Sequence, residues 1–162
     1  MFTERANVDV RYVAFVDMGR TTAAPLDNTL IEDGAVTHVG INQIGRYPVH
    51  MHHLMGPVNE ANNGYQFILV GNSVENGAKW GIAVHNSHFG LVDGNVVYDV
   101  EGAGIITEEG NERENVFSNN FVVKIGTIIA SIYEPTYGGV AGAGRVFRIL
   151  CQPANCLTRF AC

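Results

Sequence analysis

Charge is scarce in this sequence of 162 residues: Asp, Glu, Lys and Arg together make up 16%, against about 25% in an average globular domain. With 46% hydrophobic residues, so little charge excludes an intrinsically disordered chain. Basic residues are the scarcer sign, 10 against 16 acidic, for a net charge of −6. That balance leaves no cationic face for general nucleic-acid binding and no loose attraction to anionic membrane surfaces. Long hydrophobic runs are missing too. None approaches the roughly 18 residues of a membrane span, and Met1-Phe2-Thr3-Glu4-Arg5 lacks the layout of a signal peptide. The three cysteines, Cys151, Cys156 and Cys162, follow no zinc-binding spacing, and their odd number fits a disulfide framework poorly. They read as simple thiols. No nucleophile-elbow serine motif, P-loop, dinucleotide fingerprint or HExxH helix is present.

Helical periodicity with a credible cap is absent as well. What remains is a succession of short β-rich runs: Val8–Val16, Gln66–Val70, Gly81–Val84, Leu91–Val97, Gly104–Thr107 and Val116–Ile125. Gly, Asn and Asp clusters separate them, as strand punctuation requires. The runs repeat. Val70-Gly71-Asn72-Ser73-Val74 aligns with Asp93-Gly94-Asn95-Val96-Val97 at a spacing of 23 residues, and Gly81–His85 aligns with Gly104–Glu108 at the same spacing. A third copy, Ser118-Asn119-Asn120-Phe121-Val122, follows 25 residues after the second. Such a period, filled by strands alone, predicts a parallel β-helix. The leucine-asparagine consensus of a leucine-rich repeat is absent. In a stacked coil Asn72, Asn95 and Asn120 form one column at a turn, each amide reaching the coil above.

Gly45–His53 enters the same register, with Pro48 on Gly81 and His52 on His85. That turn carries about ten extra residues, placed in a Gly/Asn/Pro-rich loop at 55–65 that is expected to wall a site. Strand side chains alternate, so Val49, Met51, Ile82, Val84, Ile105 and Thr107 are expected inward. His50/His52, Ala83/His85 and Ile106/Glu108 are then outward. This stacks His52, His85 and Glu108 in one column on the solvent side, flanked by His50, with Arg46 entering from the preceding turn. Two imidazoles and a carboxylate suit acid–base chemistry near neutrality. The same atoms also suit a divalent metal, and a merely solvated face is the plain alternative. Tyr47 and Trp80 precede equivalent strands, either as sugar-stacking platforms or as core caps. The further carboxylates Asp93, Asp99, Glu101, Glu109, Glu112 and Glu114 read as solvated turns. Calcium is the divalent ion they allow, without a calcium-loop motif and without a committed cofactor.

Gly45-Arg46-Tyr47-Pro48-Val49-His50-Met51-His52, then Val84-His85-Asn86-Ser87, then Thr107-Glu108-Glu109-Gly110-Asn111-Glu112, follow a family pattern of GRYPxHxH, VHxS and TEDGxE in order and spacing. With Val8–Tyr12 and Asp17–Thr21, this resembles the β-helical region of the cell-migration-inducing hyaluronidases, their transmembrane relative and bacterial secreted β-helix proteins, over roughly residues 1–125. Glu109 stands where the family has Asp, and from Gly126 the pattern drifts. The resemblance implies an all-β, single-stranded right-handed parallel β-helix of about five to six coils. The chain is expected to be one partial domain over 1–162, with regular coils over 1–125 and a final coil or frayed tail over 126–162. It starts and stops within the solenoid without polar caps, so further coils of a longer parent chain are the expected partners.

The resemblance also implies action on an extracellular polysaccharide, a hyaluronan-like or other uronate-containing glycan, in an extracellular or cell-envelope setting. Carried over, it places His50, His52, His85 and Glu108 as catalytic residues and Arg46 on a sugar carboxylate. Tyr47, Lys79, Trp80 and Asn86 complete the expected substrate contacts. Hydrolase and lyase both stay open. Two-carboxylate hydrolysis is awkward, because Glu108 and Glu109 are adjacent and diverge. A noncatalytic carbohydrate-binding or adhesion module, or an inert stalk, are the competing readings.

Overall fold

The computed structural model describes residues 1–19, 27–43, 45–56, 63–108 and 110–125, and the backbone of 156–159. Among these, every regular element is a strand. The first coil holds β1 (Phe2–Thr3), β2 (Val8–Arg11) and β3 (Ala14–Val16). An excursion follows with β4 (Leu30–Glu32) and β5 (Ala35–His38). The second coil is β6 (Val49–His52), β7 (Phe67–Val70) and β8 (Ser73–Gly77). The third is β9 (Ile82–His85), β10 (Gly90–Asp93) and β11 (Val96–Val100). The fourth is β12 (Ile105–Thr107), β13 (Asn115–Ser118) and β14 (Phe121–Ile125), and β15 (Cys156–Arg159) adds one strand beyond.

Each coil gives one strand to each of three sheets, ordered β1-β6-β9-β12, β15-β13-β10-β7-β2 and β14-β11-β8-β3. All of these pairings are parallel. The fold is therefore a parallel β-helix, as the repeat predicts. Phe67 pairs Gly90 across 23 residues, and Leu91 pairs Val116 across 25. The extra length falls at the corner between the first and second sheets. That same corner takes the insertion after β6. Residues 57–62 of that insertion lie outside the described residues, as do Cys151, Cys162 and all of 126–162 except the β15 backbone.

Several sequence-predicted runs are two strands each. Val8–Val16 breaks at Tyr12, Leu91–Val97 at Gly94 and Val116–Ile125 at Asn119, all with positive φ. The residue after the last two of these breaks is the column asparagine. Asn72 Oδ1 accepts from Val13 N, Asn95 Oδ1 from Asn72 N and Asn120 Oδ1 from Asn95 N. The amide nitrogens donate to Val10 O, Leu69 O and Val92 O of the preceding coil. The ladder thus satisfies the backbone at a corner where strand pairing lapses.

Val49, Met51, Ile82, Val84 and Ile105 point inward and join Phe67, Leu69, Val74, Val92, Val97, Phe117 and Val122 in one core. Adjacent coils approach closely there. A Cβ on Gly90 would lie 1.9 Å from the Phe67 ring, and Phe67 is fully buried. Gly90→Ala is expected to cost about 1–3 kcal/mol through overpacking, read as a lower urea midpoint. An unchanged midpoint would mean that Phe67 has room to retreat.

The excursion was not anticipated from the repeat. β4 and β5 pair antiparallel around Asp33-Gly34, whose φ values of 49° and 77° are both left-handed. Asp-Gly between apolar flanks is the strongest local hairpin signal, so the sequence did carry it. Leu30, Ile31 and Val36 of this hairpin are exposed.

Candidate functional site

The first sheet carries the site. β6 and β9 pair in register, His50 on Ala83 and His52 on His85. β12 continues the register with Thr107 on Val84, and Glu108 N donates to Val84 O at 3.0 Å. His52, His85 and Glu108 therefore stand one above another in successive coils.

The column is not the open solvent face that alternation predicts. His85 and Glu108 are each only 9% exposed and His50 3%. The cause lies at the corner before the strands. Tyr47 and Trp80 occupy equivalent positions there and stack at 4.7 Å, forming a second apolar cluster with Ala83, Ala103 and Ile106. That cluster covers the outward apolar positions and leaves the polar column recessed. Both aromatics are buried as core caps would be, Trp80 3% exposed and Tyr47 6%. Lys79 is also buried, its Nζ 5.4 Å from the Tyr47 ring and 5.3 Å from the Trp80 ring.

A cleft of about 250 Å³ opens at the column, lined by Met1, Gly45, Arg46, Tyr47, His50, His52, His85 and Glu108. Of the residues expected at the site, Lys79, Trp80 and Asn86 do not line it. Asn86 instead holds the corner with φ 44°, its N donating to Glu112 Oε1 at 2.9 Å. The described ends of the 55–65 loop do not line the cleft either.

Glu108 is the hub. Its Oε1 accepts from the Tyr47 hydroxyl at 2.8 Å. Its Oε2 lies 2.9 Å from His85 Nδ1 and 3.8 Å from His50 Nε2. Neither contact has hydrogen-bond geometry, so the carboxylate acts on the two rings through its charge rather than through a directed bond. His50 Nδ1 lies 2.9 Å from Gly45 O and donates to it. This puts the lone pair of His50 on Nε2, facing the carboxylate. Burial drives the His50 pKa down to about 4, against the opposing pull of Glu108, so this imidazole is neutral at pH 7. His52 is also lowered, first by burial and then by His53 and His85. Arg46 sits exposed at the rim, its Nη2 donating to Gln43 Oε1 at 2.9 Å.

Sequence reasoning missed His53. Its φ of 57° breaks strand alternation, so two consecutive histidines turn to one side and their rings stack at 4.0 Å. The available signal was its alignment with Asn86, a corner position. His53 Nε2 lies 3.2 Å from His85 Nε2. Among the described residues, His52, His53 and His85 bring three ring nitrogens within 4.8 Å of one another. An imidazole set of this kind suits transition ions, whereas calcium takes oxygen ligands.

Curated relatives share this region. Fibrocystin-L of Mus musculus is 32% identical over 94 residues, which is 57% of this chain and 2% of that protein. The human cell migration-inducing and hyaluronan-binding protein is 31% identical over 105 residues, 62% of this chain and 8% of that protein. Human cell surface hyaluronidase CEMIP2 is 32% identical over 96 residues, 57% of this chain and 7% of that protein. The chain thus spans less than a tenth of the length of these relatives. No solved structure matches significantly. Residues 19–136 match the CEMIP beta-helix family. With the coils in parallel register and the three histidine and glutamate motifs on one sheet, this chain belongs to the CEMIP β-helix family.

Proposed function

We propose that this β-helix processes an extracellular, uronate-containing polysaccharide at the cleft over the first sheet. The observation that carries the reading is the Glu108 carboxylate held between His85 and His50 at the floor of a cleft with Arg46 at its rim. The names of two relatives, a hyaluronan-binding protein and a cell surface hyaluronidase, support the polymer class and the extracellular setting. Among the described residues Glu108 is the one carboxylate lining the cleft, so a two-carboxylate hydrolysis is less well served than elimination. In elimination, an imidazole takes the proton from the carbon bearing the uronate carboxylate. The freed electron pair forms a carbon–carbon double bond as the glycosidic C–O bond breaks, and the departing oxygen takes a proton from water. Arg46 neutralises the carboxylate so that this proton becomes acidic. The remaining coils of a longer chain would extend the binding face.

A binding module is the second reading, favoured by the likeness to a hyaluronan-binding protein. The assay is a panel of uronate glycans followed for ultraviolet absorbance of the new double bond and for reducing ends. Absorbance rising with reducing ends supports elimination. Reducing ends alone replace it with hydrolysis. Binding without either product leaves only the module.

A further inference from the structure

We infer that His52, His53 and His85 form a three-imidazole site for a divalent transition ion of the zinc type, with its fourth position open to the cleft. Nothing in the glycan reading requires this site, and it stands without that reading.

The first observation is spacing. A zinc–nitrogen bond of about 2.0–2.1 Å at the tetrahedral angle separates ligand atoms by about 3.3 Å. His53 Nε2 and His85 Nε2 lie 3.2 Å apart. The third nitrogen, from His52, falls within 4.8 Å of both.

The second observation is the carboxylate behind His85. Glu108 Oε2 lies 2.9 Å from His85 Nδ1, and the Asn86 amide nitrogen lies 3.4 Å from His85 Nε2. The negative charge beside Nδ1 favours the proton on that nitrogen even without a directed bond, and the amide donor favours the lone pair on Nε2, facing the other two histidines. A buried carboxylate that fixes the tautomer of a ligand histidine is the usual support of an imidazole-bound metal. Tyr47 holds that carboxylate from its other oxygen.

The third observation is backbone geometry. His53 is held left-handed at φ 57°, while the next coil has Asn86 there at φ 44°. The His53 N–H bonds to His85 O at 2.9 Å. A histidine at this corner gives up strand alternation, and the result is a ring placed beside two others. The same left-handed turn recurs at other corners, Tyr12, Asp99 and Asn119 among them, so what sets His53 apart is the imidazole it carries there. With three protein nitrogens and one open position, the arrangement matches catalytic rather than closed structural zinc. Where the glycan reading also holds, an ion held by these three rings would supply positive charge beside Arg46 for the sugar carboxylate, and proton transfer would fall to His50 and Glu108.

The test uses the whole chain, stripped with a chelator and titrated with zinc and with cobalt. One equivalent should bind, and the cobalt form should show the visible absorption of a tetrahedral nitrogen site. His53→Asn removes the ring but keeps a residue that tolerates the left-handed corner. Glu108→Gln should weaken zinc binding about 10–100-fold, and His53→Asn by at least the upper end of that range. His38→Ala, on the β4–β5 hairpin and outside the cluster, should leave it unchanged. Zinc should raise the melting temperature of the wild type but not of His53→Asn. The proposal is overturned if no equivalent binds, or if His53→Asn, folded by circular dichroism, binds zinc like the wild type. It is equally overturned if His38→Ala loses as much as His53→Asn. Glycan turnover is measured separately, so its absence beside intact zinc binding counts against the glycan reading alone.

Discussion

Asn95→Ala is expected to destabilise the protein by about 2–6 kcal/mol, a large part of the roughly 5–15 kcal/mol that a folded domain has. Asn95 is fully buried in the middle of the corner ladder. Its Oδ1 accepts from both the backbone and the side-chain nitrogen of Asn72. Its Nδ2 donates to Leu69 O at 2.9 Å and to Asn120 Oδ1 at 3.0 Å. Asn72 Nδ2 keeps Val10 O, and Asn120 Oδ1 keeps the backbone N of residue 95. Asn72 N and Leu69 O each lose a bond inside the protein, at about 1–3 kcal/mol each for a group left unsatisfied. Asn120→Ala should cost less, because that end of the ladder is only partly buried. Urea unfolding of the two variants measures the difference. A loss under about 0.5 kcal/mol for Asn95→Ala would mean that the ladder decorates the corner without holding it.

Glu108→Gln should reduce turnover of a cleaved glycan at least about 100-fold, the lower end of what a positioned acid–base group contributes. The amide keeps the shape of the carboxylate and can still accept from the Tyr47 hydroxyl at 2.8 Å. What it removes is the negative charge beside His85 and His50. The loss should therefore appear in kcat more than in KM, with the unfolding midpoint within about 1 kcal/mol of wild type, since no cavity is made. Kinetics on the reactive glycan, with unfolding run in parallel, tests this. Undiminished turnover in Glu108→Gln would remove the carboxylate from the chemistry.

The coils were legible because stacking forces equivalent residues into columns, and columns leave a period in the sequence. Asn72, Asn95 and Asn120 show this most clearly. The pairing of His52 with His85 followed from the same register, as did the inward set from Val49 to Ile105. What the period could not reveal was anything that occurs once. The Asp33-Gly34 hairpin has no copy in another coil. His53 leaves the alternating pattern through its own backbone angle, which alternation by itself cannot anticipate. The recessed column depended on where Tyr47 and Trp80 would fold, and an aromatic at a corner reads equally as a platform or a lid. In the structure they pack on Ala83 and Ile106 because those two outward positions are apolar.

The side chains around the cleft arrive from four consecutive windings of the chain, while the interior is apolar in every winding. Threading a strand one winding out of place would still bury Val, Ile and Leu against one another, and bulk spectroscopy would record the same amount of sheet. It would nonetheless separate Glu108 from its histidines. The cleft is therefore a stricter witness of correct assembly than the interior that supports it.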